Sequence, residues 1–172
     1  MQRDDLVPFH EPELAEPSRR FAARLFARLA HLRARASMVR SGSDDGYDFY
    51  LELPSPTGHR DRDAAVWMEE GTEPSVGFGE WHTHSSVWVV ESGHDDEWTA
   101  IIDLIAAITS DEFVLTSDVG GEFSGAWGVL DLRDEDALSD QLTDKYSPGR
   151  VRIRSWSGSS DREVGVEDLS AD

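Results

Sequence analysis

Two stretches of helical period, set apart by runs that alternate residue by residue, limit the folds open to this chain. Phe21, Leu25, Phe26, Leu29 and Leu32 recur at 3.6-residue spacing and predict a helix over Arg19–Met38, with Ser18 as its N-cap. Trp98, Ile101, Ile102, Ile105 and Ile108 predict a second over Glu97–Thr109. Tyr47–Leu53 alternates as a strand between Gly46 and Pro54, and Ala64–Met68 is a short apolar run. Ser75–His84, Phe113–Thr116 and Ala126–Leu132 read as further strands, and Asp134–Leu142 as a short helix. Arg150–Trp156 alternates strictly, with Val151 and Ile153 inward. Helix, strands, helix, strands predicts an α+β fold: one domain over residues 1–172, a mostly antiparallel sheet with two main helices packed on it. Residues 1–17, with three prolines, read as an irregular lead-in, and 158–172 as a frayed polar tail.

Composition supports a real core. The chain has 172 residues, enough to bury roughly two-thirds of its unfolded surface. Six Trp and seven Phe offset a modest hydrophobic share of 38%. Trp98, Trp127 and Trp156 are expected in the core, while Trp88 fits either of two apolar faces. The Arg19–Met38 stripe is expected to pack on the sheet that carries Phe49 and Val151. With no cysteine there is no disulfide framework and no thiol nucleophile. No apolar run is long enough to span a membrane, and Met1–Asp5 has no signal-peptide character, so a cytoplasmic protein is expected.

The charge is strongly one-sided. Sixteen basic residues stand against 35 acidic ones, a net −19. Residues 1–40 hold eight Arg and five acids, and the remainder eight basic and 30 acidic residues. Such a body repels nucleic acid and anionic membranes and steers a basic partner toward itself. A single Lys beside fifteen Arg also suits a GC-rich or salt-adapted source, in which acidity serves solubility. Arg20, Arg24, Arg28 and Arg35 line one helical face and are expected to pair with the protein's own carboxylates or to stay solvated.

Gly77-Phe78-Gly79-Glu80-Trp81-His82-Thr83-His84 is the stretch richest in chemistry. On a strand, His82 and His84 share a face with Glu80, close enough for one divalent ion. Ser92 lies eight residues past His84 and Asp95 eleven. This layout resembles the signature of JAMM-type zinc isopeptidases over about 17 residues, with Ser85 where the family has proline. The resemblance implies zinc held by His82, His84 and Asp95, Ser92 assisting the oxyanion, and Glu52 as general base. The other readings are polar residues on a sheet face for the histidines and a helix cap for Asp95, with no metal bound.

A second resemblance covers about half of the chain. Gly77–His84, the isoleucine-rich Trp98–Ile108 and Val151–Asp161 resemble small bacterial immunity proteins of polymorphic toxin systems. That resemblance implies no catalytic residues and no cofactor, but a stoichiometric binder whose acidic face covers a basic toxin domain. No Gly-x-Ser-x-Gly, phosphate loop or His-Glu-x-x-His occurs, and Gly120, Gly121 and Gly125 read as turn glycines. The expected function is therefore a non-catalytic acidic binding protein, with zinc-dependent hydrolysis as the alternative.

Overall fold

Leu6–Pro8 (β1) pairs antiparallel with Ala36–Arg40 (β2), so the expected lead-in is already part of a sheet. The computed structural model describes residues 6–40, 46–69, 73–119, 127–133 and 150–165. Among these residues two sheets are present, of six and of four strands. The six-stranded sheet runs in chain order: β1, β2, Tyr47–Leu53 (β3), Ala64–Glu69 (β4), Glu73–Phe78 (β5) and Trp81–His84 (β6). The four-stranded sheet is ordered Arg162–Gly165 (β10), Arg150–Arg154 (β9), Phe113–Val119 (β7) and Trp127–Asp131 (β8), all antiparallel. The fold class is α+β with antiparallel sheets. Among the described residues no helix is long and apolar enough to cross a membrane.

The first helix, Glu16–Arg28 (α1), begins with Pro17 in its first turn, where a missing N–H costs nothing, and ends ten residues before Met38. A 3-10 stretch over Ala30–Arg35 follows, and the segment expected to continue the helix becomes β2. Ser18 lies inside α1 rather than at its cap. It is fully buried, donates to Asp48 Oδ1 at 3.3 Å and accepts from the Phe49 amide at 3.2 Å. The apolar stripe holds: Phe21, Leu25, Phe26 and Leu32 are buried, with Leu29 half-buried at the helix end. Phe21 and Phe26 each meet Phe49 of β3 edge-on, with ring centroids 5.8 Å apart. Val151 does not share that sheet. It belongs to the four-stranded one, where it packs with Val114, Leu130 and Ile153.

The residues group into two compact units. Met1–Leu53, Ala64–Gly77 and His82–Ala106 form one; Pro54–Asp63, Phe78–Trp81 and Ala107–Asp172 form the other. Two further helices are described, Ser85–Ser92 (α2) and Glu97–Thr109 (α3). The bounds of α3 are those its periodicity predicts, and Ile101, Ile102, Ile105 and Ile108 are buried. Trp98 is half-buried rather than core, with Arg20 and Arg24 lying 5.7 and 5.5 Å from its ring. Trp156 is likewise half-buried. The side chain of Trp127, the expected helix at Asp134–Leu142 and the glycines at 120, 121 and 125 lie outside the described residues.

The expected polar tail is also structured. Residues 162–165 pair with β9, and Ser155–Asp161 forms a loop held by carboxylates. Asp161 accepts from the Ser155 amide at 2.9 Å and meets Arg62 at 2.7 Å. Asp111 closes the end of α3 in the left-handed region, with φ 61°, where its neighbours complete two capping bonds: Asp111 N–H to Ile108 O and Glu112 N–H to Ala107 O. Its carboxylate accepts from the Ser157 amide at 2.8 Å and from the Ser157 and Ser159 hydroxyls.

Candidate functional site

The histidine segment is a hairpin and a helix start, not one long strand. Gly79 turns the chain at φ 59°, the conformation that a two-residue II′ loop needs at its first position, and splits the expected strand into β5 and β6. A Cβ there would lie 2.5 Å from the Asp61 carbonyl, so glycine is required twice over. The reversal leaves Glu80 in the turn, not beside the histidines on a strand face.

His82 and His84 do share a face of β6. Their rings stand edge to face with centroids 5.9 Å apart, His82 exposed and His84 half-buried. His84 Nδ1 lies 2.9 Å from the hydroxyl of Ser75, which is fully buried on β5. Immediately after His84 the chain turns into α2, with His84 at the N-cap position but its side chain not capping.

The residues implied by the zinc-isopeptidase resemblance do not come together. Ser92 is the last residue of α2, about 12 Å along the helix axis from His84 at 1.5 Å per residue. Its hydroxyl donates to Trp88 O at 2.6 Å. Asp95 is exposed in the loop that follows. Glu52, on β3 and paired with Ala65 of β4, is three strand spacings from β6, roughly 14 Å. Among the described residues no three of His, Asp and Glu form a group that could hold a metal ion. The set His82, His84 and Asp95 therefore does not fit zinc, and no hydrolytic step is routed through it. Nor is Asp95 the cap of α3. That role falls to Asp96, whose Oδ1 accepts from the Thr99 amide at 2.7 Å. The Arg24 guanidinium and the Thr99 amide and hydroxyl hold the Asp96 carboxyl down to about 2.

The structure brings together a different set, which the sequence reading passed over. His94 Nδ1 lies 2.9 Å from Ser92 Oγ, and Nε2 lies 3.0 Å from Asp103 Oδ2. Ser, His and Asp stand here in one chain of contacts, and the Ser92 hydroxyl also donates to the Trp88 carbonyl. Asp103 Oδ1 is paired with Arg28 at 2.6 Å, beside the Oδ2 that meets His94. The cluster is a brace, joining the end of α2 to α3 and, through Arg28, to α1. Ser92-x-His94 is too common a spacing to have marked it. Only the α3 position of Asp103, nine residues on, makes it meaningful.

The start of α2 is braced as well. Glu73 Oε1 accepts from the Ser86 amide at 3.0 Å, placing a negative charge on the positive end of the helix dipole. The same bonds from Ser86 lower the Glu73 carboxyl below its ordinary range. Ser85, standing where the zinc family has proline, is fully buried and donates to Glu97 Oε2 at 3.2 Å. Between these anchors α2 turns Ser85, Trp88, Val89 and Ser92 inward and Ser86, Val87, Val90 and Glu91 outward. Val87 is 47% exposed and Val90 79%.

Compared with models of known protein families, with curated proteins and with solved structures, the chain finds no match.

Proposed function

We propose that this chain is a non-catalytic binding protein that takes a basic protein partner on an acidic surface, in the manner of an immunity factor covering a basic toxin domain. The observation that carries the reading is where the cations go. Among the described residues eight arginines reach the chain's own carboxylates, including Arg24 to Asp96, Arg28 to Asp103, Arg33 to Glu11 and Arg62 to Asp161. Of the basic helical face, Arg24 and Arg28 are thereby spent internally and Arg20 lies over Trp98. Glu80, Glu91, Asp95 and Glu97 stay exposed, in a chain with 19 more acids than bases. A surface of that sign disfavours DNA, RNA and anionic lipid and raises the encounter rate with a cationic protein. A cytoplasmic site of action and the absence of any cofactor belong to the same reading.

The test is a pair of measurements on the purified chain. It should pass unretained through a polyanion column at about 0.1 M salt, where screening still leaves substantial repulsion. Its affinity for a small basic protein should fall steeply as salt rises. Retention on the polyanion, or an affinity flat in salt, would overturn the reading.

A further inference from the structure

The outward face of α2 is where the composition of the helix makes least sense for a helix alone. Valine is among the weaker helix formers because its branched Cβ crowds the preceding turn. At a solvent-facing position nothing offsets that, and Lys, Glu, Gln or Ala would serve better. Yet α2 places Val87 and Val90 outward, three apart and therefore adjacent on one face, and they are the large hydrophobic side chains found exposed among the described residues. Both ends of the helix are fixed, by Glu73 and Ser85 at the start and by the Ser92–His94–Asp103 brace at the finish. The ridge is thus presented in one orientation, and little ordering entropy remains to be lost on contact.

The surroundings select the occupant. Glu91 lies on the same face, and exposed Asp95 follows in the next loop. From Asp63 to Leu132 the chain carries no Lys or Arg at all. A second copy of this chain would set Glu91 and its acidic neighbours against their equivalents, which like-charge repulsion opposes.

We infer that the Val87–Val90 ridge of α2 is a docking surface for a basic amphipathic helix of a protein partner, whose apolar stripe covers the valines while its cations meet Glu91 and Asp95. This rests on the acidic-binder reading and assigns its contact surface.

Two peptides test it by calorimetry at about 0.15 M salt. One is an amphipathic Leu/Lys helix; the other has the same lysines with each Leu replaced by Ser. The wild-type chain should bind the Leu/Lys peptide at least about tenfold tighter, as burial of two valine side chains predicts. The double substitution Val87→Ser and Val90→Ser should erase that preference while weak, salt-sensitive binding of both peptides persists. Both positions are exposed, so an unchanged near-UV circular dichroism spectrum should accompany the loss. Equal affinity of the wild type for the two peptides, or a preference untouched by the double substitution, overturns the ridge and leaves the acidic-binder reading standing. Failure of both peptides to bind at any salt overturns both readings. A concentration-dependent dimer in sedimentation that the double substitution abolishes would assign the ridge to a second copy and overturn the basic partner.

Discussion

Arg24 Nη2 lies 2.7 Å from Asp96 Oδ1, joining α1 to the N-terminus of α3 across 72 residues of chain. The same guanidinium lies over Trp98, and the same carboxylate caps α3 through the Thr99 amide. One ion pair therefore fixes a helix, its cap and an aromatic contact.

Asp96 should titrate at about 2, below its ordinary 3.8. A depressed folded value means that its stabilising effect is present above 3.8 and is lost as pH falls through about 2. The pair is half-exposed, so water screens it and the effect on stability is small. Carbonyl-detected NMR titration reads the midpoint directly. Arg24→Gln should move it up toward 3.8, and an Asp96 that titrates at 3.8 in the wild type would contradict the contact.

Leu25→Ala should cost roughly 2–5 kcal/mol in denaturant unfolding, because Leu25 is fully buried on the α1 stripe. A cost under about 0.5 kcal/mol would place the stripe against solvent or a partner instead.

The α1 stripe was legible in sequence because its period is local and its Phe and Leu have one use. Its end was not. At Leu29, with φ −122° and ψ 56°, the chain leaves the helix although the apolar spacing continues through Leu32. Ser18 looked like a cap because its true partner, Asp48, is 30 residues away. α2 went unassigned for a related reason. Ser86–Val90 is rich in β-branched residues and alternates like a strand, but Glu73 and Ser85 anchor a helix start there, and tertiary contacts override the propensity. The histidines were found by sequence and their shared face is real. The turn at Gly79 and the helix after His84, which separate them from Glu80, Ser92 and Asp95, depend on backbone that spacing does not reveal.

The two histidines should respond unequally to substitution. His84→Ala removes a partner from the buried Ser75 hydroxyl and should cost about 1–2 kcal/mol. Exposed His82→Ala should stay within about 0.5 kcal/mol. Elemental analysis of untagged protein prepared without chelator should find no stoichiometric zinc. About one zinc per chain, lost in both variants, would restore the hydrolase reading.

Asp111 combines a left-handed backbone with a buried carboxylate. Burial pushes that carboxyl up, but the bonds from Ser157 and Ser159 outweigh it and hold it below its ordinary range. Asp111→Gly keeps the backbone conformation and loses only those bonds, so it should cost roughly 1.5–3 kcal/mol. Asp111→Ala should cost about 1 kcal/mol more, from the strain of a Cβ at positive φ. Equal unfolding free energies for the two variants would contradict the strain.

Chemical-shift mapping of the ¹⁵N-labelled chain with the Leu/Lys peptide, at about 0.15 M salt, tests the central claim most directly. The account predicts saturable shifts centred on Ser86, Val87, Val90 and Glu91 and extending to Asp95. Shifts spread evenly over the surface carboxylates of both sheets, or none at all, would contradict it.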